Sequence, residues 1–261
     1  MKKITIGSLF WSGIKLNFLQ ASWNFERLQN AGFLFSVYNL LKRIYGGNEE
    51  NMRMAVKRHL SFFNTHIFFS SAVVGVVAKL ESELKNDNAR EKDTYIENTK
   101  LGIMGPMAAI GDSLFWSGIK PFALLVGSGM VMMSGFDTVH MIWAAAVSLL
   151  IYNIPRVLIK YYLLFKAYYR YQELFLLIQK IRFQDIMKSI RIAAMIFLGG
   201  VMAGFLNLRE YDRFQNPYAD SLMMMSVFFL SVFALKKKVS VSNIFVAVLI
   251  ISIILSYAAG G

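Results

Sequence analysis

Residues 138–165 read TVHMIWAAAVSLLIYNIPRVLIKYYLLF, and this long apolar stretch decides the class of protein. A helix of about 20 apolar residues crosses the ~30 Å hydrocarbon core of a bilayer. The stretch is long enough to do so, although residues 153–156 (Asn-Ile-Pro-Arg) and Lys160 interrupt it. It therefore predicts a membrane-spanning helix.

The composition of the whole chain supports a membrane protein. Hydrophobic residues make up 56% of the 261 residues, charged residues make up 17%, and the mean hydropathy is +0.46. A soluble domain has ~25% charged residues, so this chain has too little polar surface to cover a globule of its own. It needs a bilayer or a large partner interface.

Apolar segments on both sides of this stretch extend the prediction. Residues 101–135 are apolar but contain Gly105-Pro106 and Gly111-Asp112, and broken segments at membrane depth line a cavity or pack on protein. In transporters such segments mark the binding site. Three more candidate spans follow at about 192–208, 221–235 and 243–258.

The N-terminal third differs from the rest. Residues 1–100 are amphipathic rather than plainly spanning, and the charged segment 81–100, predicted to be a solvated helix or loop, is the best boundary. We therefore expect an amphipathic helical part, 1–100, and a membrane part, 101–261, with broken helices and about four spans. The predicted fold class is an all-α integral membrane protein with amphipathic N-terminal helices plus several spanning and broken or re-entrant helices.

The net charge of +12 fits a membrane topology better than nucleic-acid binding. The basic residues lie beside apolar runs, as the positive-inside rule expects, rather than in a stripe on a soluble fold. The basic connection between 138–165 and 192–208 is predicted to be cytoplasmic. The absence of cysteine excludes disulfides and thiolate metal sites.

Residues 20–30, QASWNFERLQN, form the first of three polar clusters. Read as a helix, they place Gln20, Asn24 and Arg27 near one face. Amides, a carboxylate and an indole are the groups that hold a neutral sugar, because hydroxyls need directed donors and acceptors and C–H faces stack on aromatic rings. A solvated surface helix with a Glu26–Arg27 pair explains the cluster equally well.

Residues 58–66, RHLSFFNTH, form the second cluster. His59 and His66 share a helical face if the helix continues, but a metal would need a third ligand and a phosphorylated histidine would need a phosphate cradle. Neither accompanies them, so a structural histidine is favoured. Asn64 and Thr65 are placed to cap a helix beginning at the apolar run that follows.

Residues 101–116, LGIMGPMAAIGDSLFW, form the third cluster. A lone Asp112 in an apolar segment is costly unless it is satisfied, so it either caps the next helix half or meets a ligand. The octapeptide SLFWSGIK occurs twice, at 8–15 and at 113–120. A repeated structural unit, a shared packing need and coincidence all account for that repetition.

The three clusters together resemble the IID subunit of the mannose/fructose/sorbose-type phosphoenolpyruvate-dependent sugar phosphotransferase system. The matching motifs are QxSWNFERLQ at 20–29, RHLxFFNT at 58–65 and GIMGPMAxIGDSLFW at 102–116. Their order and spacing match, and the basic residues 236–238 before a final apolar span are also similar to that family.

The resemblance implies a partnership. IID pairs with a second membrane subunit, IIC, in the bacterial cytoplasmic membrane, and related complexes are trimers of IIC–IID pairs. Soluble IIA and IIB phosphocarriers relay phosphate to the sugar as it is delivered. IID itself carries no phosphoryl-transfer residue, so we expect no catalytic residue, no cofactor and no metal in this chain, and no nucleic acid as a normal partner.

The motif match also assigns residues. Glu26 and Asn64 are the expected sugar contacts, followed by Asn24, Gln29 and Asp112. The residues expected to brace the site are Arg27, Arg58, His59, Gly105, Pro106 and Gly111. The sequence does not decide which hexose or amino sugar is carried. A membrane scaffold or bacteriocin or phage receptor without transport is the alternative, whereas a membrane-embedded enzyme would need a catalytic set that is not visible.

Overall fold

The structure, a computed structural model, is mainly helical over the residues that it describes. These are 3–134, 136–180, 182–207, 225–227, 229–231, 233–234, 236–237, 239–240, 243–244 and 246–251. The helices are α1 (Ile6–Lys15), α2 (Asn30–Tyr45), α3 (Glu49–His59), α4 (Ser70–Glu83), α5 (Ala89–Gly111), α6 (Lys120–Met133), α7 (Thr138–Lys180) and α8 (Phe183–Asn207). A 3₁₀ turn at Leu16–Phe18 follows α1, and a π-helix at Asp112–Ile119 joins α5 to α6.

The chain divides into two compact units, Met1–Gly199 and Gly200–Gly261. In the first unit, helices from both sides of residue 100 pack together around one apolar core. In the second unit, the described positions between 225 and 251 are mostly helical. The loop at 209–220 and Lys238 lie outside the described residues. The spans expected at 221–235 and 243–258 are described only in part.

Local sequence signals explain where the N-terminal helices begin. Thr5 caps α1 through a reciprocal pair of hydrogen bonds with Ser8. The Asn48 side chain accepts a hydrogen bond from the Asn51 amide and caps α3 directly after the Gly46-Gly47 turn. Glu49 and Glu50 lie in the first turn of α3, where their negative charges interact favourably with the positive end of the helix dipole.

Helix α4 forms the centre of the first unit. It packs along α7 so closely that a Cβ on Gly75 would lie 2.5 Å from the Leu164 carbonyl oxygen and 2.6 Å from the Ala167 Cβ. Only glycine allows this approach. The expectation that Asn64 or Thr65 caps this helix is wrong, because α4 begins at Ser70 with Phe69 in the capping position and no side chain capping it.

Two continuous helical segments within the described residues are long and apolar enough to cross a bilayer: Arg90–Met133 and Thr138–Leu174. The first runs through Pro106 and the π-helix, and no side chain caps the π-helix, so the expectation that Asp112 caps a new helix half is wrong. The second contains Pro155 and has a backbone kink at Arg170 (φ −147°, ψ 56°). Together with the helical architecture and the comparisons given below, these segments confirm the predicted class of all-α membrane protein.

The two SLFWSGIK segments adopt different structures. Residues 8–15 lie in the α-helix α1, whereas residues 113–119 lie in the π-helix. The shared glycine faces a neighbouring helix in both cases. A Cβ on Gly13 would be 2.6 Å from the Tyr161 ring, and one on Gly118 would be 3.2 Å from Met187. Packing against a large side chain is therefore common to both segments, but helix type is not.

Candidate functional site

Two non-helical segments, 20–29 and 60–66, lie side by side between the helices. Asn24 and Leu28 form an antiparallel bridge, and Leu28 and Phe63 form a parallel one. The Gln29 amide donates to the Phe63 carbonyl at 2.8 Å. Leu28 has a positive φ of 55°, which no helix allows. The prediction that residues 20–30 form a helix is therefore wrong, because these side chains supply their own hydrogen bonds to the backbone.

Asn24 organises the first segment. Its Oδ1 accepts from the Arg27 amide at 2.8 Å, and its Nδ2 donates to Asn30 Oδ1 at 2.9 Å. Asn30 Nδ2 in turn donates to the Leu60 carbonyl at 2.8 Å. A chain of amides thus ties segment 20–29 to segment 60–66, and Asn24 is a structural residue whether or not it also meets a ligand.

Gln29 forms the second tie between the segments. Its side chain is buried, and its Oε1 accepts from the Thr65 amide at 3.0 Å. The Thr65 hydroxyl donates to the Met104 carbonyl of α5 at 2.9 Å. The sequence motif grouped Gln29 with ligand contacts, and the structure uses its carbonyl oxygen to hold the backbone beside Asn64.

Glu26 and Asn64 keep their polar groups at the surface. The Glu26 side chain is 78% exposed and pairs with the half-exposed Arg27 at 3.1 Å. Arg27 also donates weakly to the Leu60 carbonyl at 3.4 Å. Asn64 is exposed, and its backbone amide donates to Met104 Sδ at 3.0 Å. No hydrogen bond of its side-chain amide is found among the described residues.

Exposed aromatic residues are close to Glu26 and Asn64 in the sequence. Trp23 and Phe25 meet edge to face with ring centroids 4.9 Å apart, and Phe25 is 92% exposed. Phe62 is 43% exposed. Exposed aromatic faces next to a free amide and a carboxylate supply both of the contacts that a sugar makes, stacking and directed hydrogen bonds.

The end of α5 closes against the same segment. A Cβ on Gly111 would lie 2.4 Å from the Cβ of His66, so this position accepts only glycine. His66 is buried and stacks on Phe115 of the π-helix, with centroids 5.3 Å apart. Asp112 follows Gly111 and is exposed. Gly111, which precedes Asp112, thus contacts His66 at the end of the segment that carries Asn64.

Gly105 and Pro106 lie on the open side of α5. Both are exposed, and a Cβ on Gly105 or on Gly102 would meet nothing within 4 Å. Proline lacks the amide that would bond the carbonyl four residues earlier, so the Gly102 carbonyl loses its usual helical donor. This face of α5 is therefore accessible, and it carries no side chain at Gly102 or Gly105.

A buried ionic cluster surrounds the end of α3, directly before segment 60–66. Glu81 of α4 is fully buried and accepts from Tyr45 Oη at 2.6 Å, from His59 Nε2 at 2.7 Å and from Arg58. Arg58 also binds Asp93 of α5, with Nε 2.9 Å from Oδ1. These bonds join α2, α3, α4 and α5 at one point. Glu81 lies in the segment expected to be solvated, and that expectation is wrong for it.

The charges of this cluster follow from its environment. Burial alone would raise the pKa of the Glu81 carboxyl, but the hydrogen bond from His59 and the charges near it, Arg58 included, hold its pKa at about 2. Burial lowers the pKa of His59, so the ring is neutral and donates from Nε2, while its Nδ1 has no hydrogen-bond partner among the described residues. Burial also lowers the pKa of His66 to about 4.

Both histidines therefore behave as neutral packing residues in this structure. The helix α3 ends at His59, so His59 and His66 do not share a helical face as a continuing helix would have required. Within the described residues, no group of three His, Asp or Glu side chains is arranged to hold a metal ion.

All the residues that the motifs singled out lie on or beside segments 20–29 and 60–66 or on the helix end that packs against them. The sequence missed Glu81, Asp93, Lys100 and Met104, which hold that region in place. The signal for Glu81 was indirect: a buried arginine requires a carboxylate partner, but several acidic residues between 81 and 97 were equally good candidates.

Comparison with known proteins gives one family. The PTS system mannose/fructose/sorbose family IID component matches residues 2–259 of the chain. The mannose-specific EIID component of Escherichia coli K12 is 34% identical over 161 residues, which cover 62% of this chain and 54% of that protein. The sorbose-specific EIID component of Klebsiella pneumoniae is 37% identical over 131 residues, 50% of this chain and 47% of that protein. These matches span about half the length of the curated relatives.

Solved structures agree over the full length. A cryo-EM structure of the mannose transporter ManYZ in complex with microcin E492 contains a chain that is 27% identical, with a TM-score of 0.57, covering 100% of this chain and 98% of that one. A second structure, described as a membrane protein, is 29% identical with a TM-score of 0.68, covering 99% and 98%.

Proposed function

Because the chain belongs to the IID component family of the mannose/fructose/sorbose phosphotransferase systems, we propose that it is a membrane subunit of a phosphoenolpyruvate-dependent sugar permease. With a IIC subunit it translocates a hexose or an amino sugar, and soluble IIA and IIB relay phosphate to the sugar on the cytoplasmic side. It crosses the bacterial cytoplasmic membrane several times, as part of a trimer of IIC–IID pairs. The chain itself transfers no phosphoryl group.

The observation that carries this proposal is the pair of exposed polar groups, Glu26 and Asn64, on two segments that are hydrogen-bonded to each other. A carboxylate and an amide supply the directed acceptors and donors that sugar hydroxyls require. The aromatic rings of Trp23 and Phe25 stand beside Glu26 in the chain. We assign Glu26 and Asn64 as sugar contacts, with Asn24, Gln29 and Asp112 in supporting positions.

The remaining motif residues brace this site. Arg27 and Arg58 pair with carboxylates, His59 adds to the Glu81 cluster, and Gly111 admits His66. Gly105 and Pro106 keep one face of α5 open for the IIC subunit. In this proposal, residues 1–100 contribute most of the sugar contacts, and residues 101–261 supply Asp112 and the spans.

The test is uptake of a panel of radiolabelled hexoses and amino sugars by cells that express the chain with its companion subunits. Glu26→Gln and Asn64→Ala should each reduce uptake of the carried sugar by at least tenfold. The first replaces a charged acceptor oxygen with an amide donor, and the second removes the side-chain amide, so each leaves a sugar hydroxyl without its partner. Two exposed residues serve as matched controls, and Glu50→Gln and Asn98→Ala should leave uptake unchanged. Unchanged uptake in both site variants would remove the site assignment.

A receptor role is the second candidate, supported by the similarity to a ManYZ chain whose structure was determined with microcin E492. A chain that serves only as a receptor would confer sensitivity to a bacteriocin without carrying sugar. Cells that become sensitive on expression but accumulate none of the sugars would favour this function. Glu26→Gln and Asn64→Ala would then leave sensitivity intact.

A further inference from the structure

Lys100 is a fully buried lysine in the first long membrane helix, and the proposed function leaves it without a role. Its Nζ donates to the Arg58 carbonyl at 3.3 Å and to the Ser61 hydroxyl, and it lies 5.8 Å from the centre of the Phe33 ring. The Arg58 carbonyl belongs to the last turn of α3, where carbonyls lack helical donors and the dipole favours a cation. The ammonium group therefore caps α3 from a different helix.

The next turn of α5 contacts the same segment again. Met104 Sδ accepts from the Asn64 amide at 3.0 Å, and the Met104 carbonyl accepts from the Thr65 hydroxyl at 2.9 Å. Lys100 and Met104 are four residues apart, so they lie on one face of the helix. Lys100 and Met104 bond the Arg58 carbonyl, the Ser61 hydroxyl, the Asn64 backbone amide and the Thr65 hydroxyl. Neither of them bonds the Asn64 side chain.

We propose that Lys100 is a positioning residue for sugar recognition: it locks the Asn64 segment onto α5, so that Asn64 keeps a fixed place relative to Asp112 farther along the same helical segment. This inference rests on the proposed function for its transport test. Asp112 lies eight residues after Met104, roughly 12 Å along the helix axis. Without the clamp at Lys100, segment 60–66 would keep its ties to Gln29, Asn30 and Met104 but lose its anchors to α5 at Arg58 and Ser61.

The test compares two buried lysines of the same helix. Lys100→Met keeps the aliphatic bulk and removes the ammonium. Lys92→Met is the matched control, because Lys92 is also buried, but its Nζ bonds the Lys85 carbonyl and lies over the Tyr45 ring, away from segment 60–66. In cells with the companion subunits, Lys100→Met should raise the KM for uptake about tenfold and leave the maximal rate per assembled complex within twofold. Lys92→Met should leave KM unchanged.

Ser61→Ala refines the comparison. It removes one of the two acceptors of Lys100, so it should raise KM less than Lys100→Met does. The Ser61 hydroxyl also donates to the Arg58 carbonyl at 2.8 Å, so Ser61, Lys100 and that carbonyl form one hydrogen-bonded unit. The KM of the double variant should therefore rise by clearly less than the combined effects of the two single substitutions. Independent, additive effects of the two substitutions on KM would overturn the proposal, as would an equal rise in KM with Lys92→Met.

A second readout does not depend on transport. The chain has no cysteine, so a spin label on Asn64→Cys reports the motion of that segment, after subtraction of the signal from the complex without this substitution. Lys100→Met should increase the mobility of the label, and Lys92→Met should not. If wild type carries no sugar, the proposed function fails, while this mobility difference still supports the clamp. Equal mobility in both variants would overturn the clamp.

Discussion

Replacing Glu81 by glutamine tests the buried cluster that supports the candidate site. The substitution keeps the shape of the side chain but removes its charge, and the new amide group faces one of the three donors, Tyr45, Arg58 or His59, with a donor of its own. Breaking a buried ion pair by changing one partner costs about 3–5 kcal/mol. Asp93 still pairs with Arg58, so we expect the lower end, about 3 kcal/mol.

The pH dependence leads to the same magnitude. The pKa of Glu81 falls from 4.5 to about 2 on folding, so the unfolded chain binds more protons between these values than the folded one does. The stabilisation is complete above about pH 4.5 and is lost as the pH falls toward 2. This difference corresponds to about 3 kcal/mol. The part of the acid sensitivity that comes from Glu81 should be absent in Glu81→Gln.

The assay is thermal unfolding of the purified complex in detergent. For a chain of this size, about 3 kcal/mol corresponds to a fall of roughly 6–12 °C in the unfolding midpoint. Glu83→Gln is the matched control, because Glu83 lies on the same helix, is half exposed and pairs with Lys79 at 2.9 Å. Such surface pairs contribute about 0.3–0.5 kcal/mol. Equal shifts for the two variants would refute the reasoning from burial.

Two further predictions test the local geometry. Gly32→Ala should destabilise the protein by about 1–3 kcal/mol in thermal unfolding, because its Cβ would lie 2.1 Å from the Leu19 carbonyl oxygen. Gly102→Ala is the control and should be neutral or stabilising, because its Cβ would meet nothing within 4 Å. A neutral Gly32→Ala would contradict this packing. Asn24→Ala removes three side-chain hydrogen bonds, to the Arg27 amide, to Asn30 and, more weakly, to the Leu28 carbonyl. It should speed hydrogen exchange of residues 24–29 by about tenfold or more, and unchanged exchange would show that this side chain does not hold the segment.

The sequence predicted the class of fold because apolar length and loop charge depend only on local composition. Residues 138–165 lie in α7, and Glu49–His59 is helical directly after the Gly46-Gly47-Asn48 turn. It failed at residues 20–30, where a polar pattern compatible with a helix instead forms turns. The reason is tertiary: Asn24 and Gln29 bond backbone groups of their own segment and of segment 60–66, and no periodicity reveals such partners.

The supporting residues of the site escaped prediction for a related reason. Glu81 and Lys100 stand in a charged stretch that looks solvated, yet both are fully buried. A buried charge is recognisable only from the partner that satisfies it. The partners, Arg58 and the end of α3, come from a part of the chain about 20 to 40 residues away. The motif residues themselves were located because three long motifs occur in register.

Phosphoenolpyruvate-dependent transport in membrane vesicles tests whether this chain acts as the IID subunit of a sugar phosphotransferase permease. Vesicles would carry the chain with its IIC subunit, and IIA, IIB and the general phosphate-relay proteins would be supplied with or without phosphoenolpyruvate. We expect sugar phosphate to form only when both the chain and phosphoenolpyruvate are present. Sugar phosphate formed at the same rate without the chain, or accumulation of free sugar independent of phosphoenolpyruvate, would contradict it.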